Sequence, residues 1–342
     1  MNRASTIILT STIALVFLLV AHVLIGKVSI PVSEVFSILR GQKANEVHSF
    51  ILLHSRIPTA ICALLAGGAL SVAGLYMQTL FRNPVAGPYI LGITSGSSLV
   101  VAFFIMGASS LGISFSKISL LDNSVLVFAS LLGSFFFSMI ILWFSMKVRS
   151  VTTVLIIGLM LSSGASAIIS LLESMANKSS LQTFTFWSFG SFAGINYLQL
   201  GIMAAIIALA LALSLSQLKG LNVYIGGEIY AQSLGINIKQ LKIISIISTA
   251  LLAGVVTSYC GPIGFVGLAV PHLSRYLMKT SNHIVLLPIC FILGAIVCLL
   301  CSMIASLPFF DTQIPVNIIT SLIGAPVMIY ILWNQKNSMQ HG

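Results

Sequence analysis

The sequence predicts an all-α polytopic membrane protein, from its composition and from the length of its apolar segments. Of the 342 residues, 58% are apolar and only 6% are charged, whereas soluble globular domains carry about 25% charged residues. Apolar windows of about 20 residues, enough to span a bilayer as a helix, recur along the whole chain. The regular alternation of a membrane β-barrel is absent. These observations exclude soluble enzyme folds and predict a single transmembrane domain, 1–342, of about ten helices.

Each predicted span is bounded by charged, proline or glycine residues. The first follows the basic start of the chain and is longer than the apolar core of a signal peptide. It lacks a small-residue cleavage site, so it is predicted to remain in the mature protein as a helix. The ten predicted spans are 7–25, 57–80, 88–107, 124–146, 151–172, 195–215, 240–259, 264–278, 284–306 and 314–333.

The charged residues divide unequally between the two sides of this topology. With the N-terminus inside, the inner side carries ten basic residues and one acidic residue, a net charge of +9. The outer side carries six basic and five acidic residues, a net charge of +1. Basic residues favour the cytoplasmic side, so both termini are predicted to be cytoplasmic in a bacterial inner membrane. The total charge of +10 therefore reflects topology rather than nucleic-acid binding.

The five cysteines all fall in apolar stretches and are predicted to act as small packing residues. Cys298 and Cys301 form a C-x-x-C pattern, but no His or third Cys stands near them in the sequence. An odd number of intramembrane cysteines also argues against a disulfide framework. No metal site is predicted from them.

A short repeat relates the two halves of the chain. The pentapeptide Ala63–Gly67 recurs as Ala250–Gly254, and at the same offset of 187 residues Gly74 matches Gly261 and Pro84 matches Pro271. The second predicted span runs inward and the seventh runs outward. Matching segments of opposite orientation predict an inverted repeat of spans two to five and seven to ten, a common transporter architecture.

Three ordered blocks of the sequence carry distinctive motifs. The first begins Arg56-Ile57-Pro58-Thr59 and continues through a helix of small residues into Asn83-Pro84, the second is Gly261–Arg275, and the third is Pro315–Pro326. Together with an inner loop they resemble the FecCD family of ABC-transporter permeases, which includes the cobalamin permease BtuC. The second block resembles the family's G-x-I-x-F-V-G-L-x-x-P-H-x-x-R, and the third resembles its C-terminal block. The motif residues taken as structural are Gly67, Gly74, Gln78, Asn83, Pro84, Pro88, Gly92, Gly267, Pro271, His272, Arg275, Gly324 and Pro326.

The resemblance implies a transport subunit rather than an enzyme. It implies pairing with a second permease copy, two ATPase subunits on the inner face and a substrate-binding protein on the outer face. The chain has no G-x-x-x-x-G-K-[ST] phosphate loop, so ATP-Mg is expected on the partner ATPase and no cofactor on this chain. The family's coupling segment corresponds to Gly227, Glu228, Ala231, Ser233, Leu234 and Gly235.

The resemblance also implies roles for residues on the outer side and along the pathway. Arg56 is expected to contact a carboxylate of the binding protein. The residues expected to line the pathway are Ser162, Ser166, Asn317, Thr320 and Ser321. Two departures from the family pattern bear on these roles. Thr59 replaces a second arginine, and the acidic residue and glycine of the last block appear as Gln313 or Ile314 and as Asn317.

Each assignment has a simpler structural alternative. The segment Gly226–Gly235 is otherwise an ordinary connector, in which Glu228 interacts with a helix N-terminus. Arg56 can snorkel to lipid headgroups, serines can bond their own helix, and His272 can make a structural polar contact.

Two other function classes are less consistent with the sequence. An ion-coupled secondary transporter tends to hold carboxylates within the membrane, and all six acidic residues lie at span ends or in loops. An intramembrane enzyme would need a catalytic motif, and neither H-E-x-x-H nor G-x-S-x-G is present. Within the permease family, the expected cargo is an iron chelate, siderophore or haem, with cobalamin as the alternative.

Overall fold

The computed structural model describes residues 3–42, 44–89, 91–107, 123–148, 150–307 and 314–339, and the described residues form helices joined by short connections. The all-α membrane fold is thus confirmed. The helices are α1 Arg3–Leu24, α2 Val32–Leu39, α3 Glu46–Ile51, α4 Ile57–Leu80, α5 Ile93–Ala102, α6 Asn123–Lys147, α7 Val151–Met175, α8 Lys178–Ser188, α9 Tyr197–Ser216, α10 Leu218–Tyr224, α11 Glu228–Ser233, α12 Ile238–Cys260, α13 Val266–Met278, α14 His283–Ala305 and α15 Val316–Met339. Single π-helical turns at Leu52–Arg56 and Phe103–Gly107 extend α4 and α5.

A helix occupies each of the ten predicted windows, but the count of ten spans is approximate. Seven helical segments in the described part are long and apolar enough to cross a bilayer: α1, the continuous Glu46–Leu80, α6, α7, α9, α12 and α14. Two more, Ile93–Gly107 and Val316–Ile329, are apolar but shorter, and α13 has only 13 residues. The third predicted span starts five residues late, at Ile93, because Gly92 has a φ of +80° and forms the turn before it.

Helix α4 lies at the centre of the bundle and contacts α12, α13 and α14. Its sequence is rich in Gly, Ala and Ser, and from Ala66 to Leu80 every residue is buried. Small residues let neighbouring backbones approach closely in a membrane, where the hydrophobic effect does not drive helix association. Helix α1, by contrast, has only one buried residue, His22, and lies at the edge.

The helix contacts confirm the inverted repeat. In the first half α5 packs on α6 and α7, and in the second half α13 packs on α14 and α15. The first helix of each half packs against the other half. Helix α4 packs on α13 and α14, and α12 packs on α5 and α6. Each of these contacts therefore has a counterpart in the other half.

Helices α2, α3 and α8 are short, with eight, six and eleven residues. Helix α8 is capped by Asn177, whose side chain accepts a hydrogen bond from the Ser180 amide. Helices α2 and α3 were not predicted, because six to eight residues are too few for a clear apolar period. They pack on a small cluster formed by Ile30, Val35, Ile38 and Leu52.

Candidate functional site

The loop between α9 and α12 folds into two short helices separated by glycine. Helix α10 ends at Tyr224, and α11 begins at Glu228 after Gly227, which has a φ of +117°. Gly235, with a φ of +79°, ends the second helix. These left-handed conformations strongly favour glycine. The loop lies at the end of the bundle that carries Arg82, since a Cβ on Gly227 would lie 3.6 Å from the Arg82 guanidinium. We call this the basic end.

Helix α11 presents an apolar face away from the bundle. Ile229 is 84% exposed, and Tyr230 and Leu234 are each 55% exposed. Ala231 faces the opposite way and is fully buried, while Ser233 is exposed and donates to the Tyr230 carbonyl. An exposed apolar cluster next to charged residues is typical of a protein–protein contact. The coupling residues expected from the sequence included Leu234 but not Ile229 or Tyr230. These two could have been identified from the sequence, because they are large apolar residues in an otherwise polar loop.

Glu228 holds this helix to the bundle. Both of its carboxylate oxygens lie 3.3 Å from the Lys242 ammonium on α12, which donates to them. The Lys242 side chain is 15% exposed, so the pair is partly shielded from solvent. The structure thus gives Glu228 a partner within the chain, Lys242 of α12. Burial, and the nearby Glu228 charge, raise the pKa of Tyr224 to about 12.

A hydrogen-bonded line runs from the loop into the bundle. Asn222 on α10 accepts at its Oδ1 from the backbone amide of His283, 2.7 Å away, and from His283 Nδ1, 2.8 Å away. The other ring nitrogen, Nε2, lies 2.8 Å from Thr79 Oγ1 near the end of α4. The imidazole is buried. This line joins the loop to α4 and α14, and it was not predicted because its members come from three distant segments.

Several motif residues form a second polar contact between α4 and α13. His272 Nε2 donates to the Pro84 carbonyl at 2.7 Å, so the predicted structural role of His272 is consistent with the geometry. Arg275 donates to Gln78 Oε1, and the Gln78 amide donates to the Leu268 carbonyl at 3.0 Å.

Other motif residues fix turns and close helix approaches. Asn83 Oδ1 accepts from the Val85 amide at 2.9 Å and so closes the turn after α4. A Cβ on Gly324 would lie 2.4 Å from the Phe265 Cβ, so α15 reaches α13 only because residue 324 has no side chain. Pro271 is buried within α13, whereas Pro326 is exposed on α15.

A cavity of about 360 Å³ lies where the starts of α5, α13 and α15 meet. Of the expected pathway residues, Asn317 and Ser321 line it, together with Thr94 and the motif residue Pro88. Asn317 Oδ1 also accepts from the Gly264 amide at 3.0 Å, which orients its side chain. Polar groups here are few and neutral.

The remaining expected pathway residues lie elsewhere. Thr320 is buried and donates to the Asn317 carbonyl at 3.1 Å. Ser162 bonds the Gly158 carbonyl of its own helix at 3.0 Å and lies near Gly92, whose added Cβ would be 3.0 Å from Ser162 Oγ. Ser166 is exposed on α7. The structure therefore groups Asn317 with Ser321 but does not bring the two serines of α7 to the same cavity.

Arg56 is turned into the protein rather than outward. It is 7% exposed, and its guanidinium donates to the carbonyls of Val23 at 3.0 Å, Leu24 at 2.9 Å and Val28. The last carbonyls of a helix have no partner within it, and a cation at this end also suits the helix dipole. Arg56 thus caps α1, and the expected ion pair with a binding protein is not supported.

Thr59, which replaces the second arginine of the motif, lines a cavity of about 420 Å³ at the opposite end of the bundle. We call this the outer cavity, because the topology predicted from the sequence places this end outside. Phe186, Phe189 and Phe192 contribute aromatic rings to it, and Pro315 lies at the start of α15. Gln313 lies outside the described residues.

Among the residues that the structure describes, no cluster of three His, Cys, Asp or Glu could hold a metal ion.

Comparison with known proteins agrees with this architecture. The model of the FecCD transport family matches residues 14–334. The chain is 31% identical over 282 residues to the vitamin B12 import system permease protein BtuC of Citrobacter koseri, covering 82% of each protein. It is 29% identical over 325 residues to the protein of the same name from Serratia proteamaculans, covering 92% of this chain and 93% of that one.

Two solved structures share the fold. One, described as an inward-facing conformation of a metal-chelate type ABC transporter, has a TM-score of 0.83 at 30% identity, covering 96% of this chain and 99% of its own. PsaBC from Streptococcus pneumoniae in complex with Fab has a TM-score of 0.53 at 17% identity, covering 87% and 95%. The second similarity concerns the fold alone.

Proposed function

The chain belongs to the FecCD transport family, and we propose that it is the membrane-spanning subunit of an ABC importer for a metal chelate. In this proposal both termini are cytoplasmic, the basic end faces the cytoplasm and the chelate moves inward. A separate chain binds and hydrolyses ATP-Mg, because this sequence contains no phosphate loop. The permease itself carries out transport and no chemical reaction.

The apolar face of α11 is the observation that supports this function best. Ile229, Tyr230 and Leu234 are exposed on the loop, and the Glu228–Lys242 ion pair joins α11 to α12. Such a surface fits a cleft of an ATPase subunit. Movement of that cleft would then reach α12 through Lys242, and α4 and α14 through the Asn222–His283 line.

A second copy of the chain is proposed to complete the pathway. Helices α7 and α15 leave large apolar side chains exposed, including Met160 at 63%, Leu171 at 59% and Leu322 at 70%. The serines of α7 lie among them, so a copy packed here would place Ser162 and Ser166 at the interface. Two copies would bring two α11 surfaces to the basic end, one for each of two ATPase subunits. The substrate-binding protein would dock at the opposite end, around the outer cavity.

The cargo is proposed as a chelate because the cavity where α5, α13 and α15 start is lined mostly by apolar residues, with Thr94, Asn317 and Ser321 as neutral polar groups. Such a lining does not bind a bare ion tightly, but it lets a bulky ligand-wrapped metal pass. An iron chelate is the first candidate. Cobalamin is the second, since relatives of 29–31% identity carry the name of vitamin B12 permeases.

Substitution of the exposed face tests the coupling role. Ile229→Asp and Leu234→Asp place a charge in the proposed contact without removing a buried group, so both should fold yet bind the ATPase at least tenfold more weakly. Gln232→Asp, an exposed polar position on the same helix, is the matched control and should assemble like the parent. Co-purification and ATPase rate in proteoliposomes measure the effect. Normal assembly of both Ile229→Asp and Leu234→Asp would exclude this face as the docking surface.

Uptake assays distinguish the cargoes. Proteoliposomes containing the permease, its ATPase and its binding protein should accumulate a radiolabelled iron chelate when ATP is present, and an excess of unlabelled cobalamin should not compete. Uptake of cobalamin alone would replace the first candidate with the second. ATP-dependent uptake of neither compound would contradict the proposal of a metal-chelate importer.

A further inference from the structure

Two buried thiols from the two halves of the repeat meet at the outer ends of their helices. Cys62 lies in the second turn of α4, and Cys260 is the last residue of α12. Their sulfur atoms are 3.4 Å apart, and the side chains are 0% and 2% exposed. Both cysteines are reduced in the structure. Transport does not use them in the mechanism proposed above, so this contact calls for a separate explanation.

The two sulfur atoms are close enough to be joined by small side-chain rotations. A disulfide places its sulfurs about 2.05 Å apart, so the sulfurs need to approach by roughly 1.4 Å. The Cys260 backbone is held in place, because its carbonyl accepts from the Ser191 amide at 2.8 Å. A Cβ on the next residue, Gly261, would lie 2.4 Å from the Trp187 carbonyl. The backbone that carries the Cys260 thiol is therefore held next to Cys62.

A cavity provides a route to this pair. Cys260 lines a space of about 140 Å³ together with Ser191, Gln199 and Ser258. This space is large enough for a molecule the size of water or hydrogen peroxide, and its hydroxyl and amide groups suit a polar guest. Phe186 lines both this cavity and the outer cavity, so the two adjoin at the outer end of the bundle.

We propose that Cys62 and Cys260 are a modification site, a dithiol that a small peroxide oxidises to an intrachain disulfide. In the first step the Cys260 thiol gives up its proton and its sulfur attacks one peroxide oxygen. The O–O bond breaks, the departing hydroxide takes up that proton and leaves as water, and Cys260 becomes a sulfenic acid. In the second step Cys62 attacks the Cys260 sulfur and displaces a second water. The two thiols lose two electrons and two protons, and one hydrogen peroxide becomes two waters.

The disulfide would link α4 of the first half to α12 of the second half. The cross-link would close a loop between residues 198 positions apart in the sequence. The three remaining cysteines, Cys290, Cys298 and Cys301, are also buried and take no part in the proposed reaction.

Peroxide treatment of the purified full-length protein in detergent tests the site. After treatment, the protein is denatured, alkylated, digested and analysed by mass spectrometry. We expect two of the five cysteines to escape alkylation and a linked peptide containing Cys62 and Cys260 to appear, then vanish on treatment with dithiothreitol. Cys298→Ser should keep the linked peptide. Cys62→Ser should lose it and leave Cys260 as a sulfenic acid, detectable with dimedone.

Three results would overturn the inference. These are full alkylation of both cysteines after peroxide treatment, a linkage between Cys298 and Cys301 in place of the proposed one, and oxidation of Cys260 to the sulfonic acid with Cys62 still reduced. The wild-type measurement stands on its own if a serine variant fails to fold. Because the assay needs neither ATPase nor cargo, its failure would leave the proposed transport function untouched.

Discussion

Gly74 on α4 and Gly267 on α13 are in direct backbone contact. A Cβ added to Gly74 would lie 1.6 Å from the Gly267 carbonyl oxygen, and one added to Gly267 would lie 2.7 Å from the Leu70 carbonyl oxygen. These distances are too short for any non-bonded pair of atoms, so the two helices approach this closely only because both positions lack side chains. The contact joins the first helix of one half of the repeat to the second helix of the other.

We predict that Gly74→Ala destabilises the protein. The methyl group must push α13 away from α4, and overpacking of this kind costs about 1–3 kcal/mol. Thermal unfolding of the purified variant in detergent should therefore occur at a lower temperature. Gly201→Ala on α9 is the matched control, because a Cβ there has no neighbour within 4 Å. Equal unfolding temperatures for Gly74→Ala and the parent would show that the helices are not in contact here.

The repeat shows how far the sequence alone predicts the fold. The recurring pentapeptide identified Gly67 and Gly254 as equivalent, and the structure gives them equivalent packing. A Cβ on Gly67 would lie 2.1 Å from the Gly294 carbonyl, and one on Gly254 would lie 2.5 Å from Ser134 Oγ. The helices themselves were predictable because apolar length is a local property. The partners, Gly294 and Ser134, were not, since pairing depends on how distant helices assemble.

Charged side chains were harder to interpret than apolar windows. The position of Arg56 at the start of a helix predicted a contact with a partner outside the chain. In the structure, three carbonyls at the end of α1 and in the following turn accept hydrogen bonds from it. Glu228 was expected to belong to the coupling segment, and in the structure its carboxylate pairs with Lys242 of α12. In both cases the position of the residue was predicted well. The direction of its side chain depends on tertiary contacts that no local pattern encodes.

We predict that Arg56→Gln lowers stability more than it affects docking of a partner. The shorter amide cannot reach the carbonyls of Val23, Leu24 and Val28 together, and a lost hydrogen bond to a charged group costs about 1.5–3 kcal/mol. The unfolding temperature should fall, while affinity for the binding protein, measured with folded variant, should stay within twofold of the parent.

Arg40→Gln is the control for Arg56, since Arg40 is an exposed arginine of the same side. It should unfold like the parent. An Arg56→Gln protein that unfolds at the parent's temperature but binds the partner tenfold more weakly would restore the docking role.

We predict that acid loosens the contact between α2 and α3. Glu34 Oε2 lies 2.7 Å from His48 Nδ1, and Glu34 Oε1 accepts from the Asn45 amide at 3.0 Å. The hydrogen bonds from His48 and Asn45 lower the pKa of Glu34 below its usual 4.5. A carboxyl with a lowered pKa in the folded state stabilises the fold above its unfolded pKa, and this contribution is lost as the pH falls through the folded pKa.

Hydrogen exchange measures this loosening directly. The protection factor of the Asn45 amide, corrected for intrinsic exchange, should be constant at neutral pH and fall below about pH 4.5, the usual pKa of the carboxyl. Glu34→Gln should remove the pH dependence, because its amide does not titrate. Unchanged protection of Asn45 in acid would mean that the carboxylate does not hold these helices together.

We predict that the Asn222–His283–Thr79 line is needed to transmit motion from α11 to the membrane helices. Asn222→Leu keeps the side-chain size but removes the acceptor for two nitrogens of His283. Losing these neutral bonds costs about 1 kcal/mol each, so the protein should still fold and bind its ATPase through α11. Transport per ATP hydrolysed should fall severalfold, because α10 is no longer tied to α4 and α14. Asn222→Asp retains the acceptor oxygen and should keep most of the coupling.

The measurement is the ratio of uptake to hydrolysis in proteoliposomes. A parental ratio in Asn222→Leu would show that the line only stabilises the fold, and an equal loss in both variants would show that the acceptor is not the feature that matters.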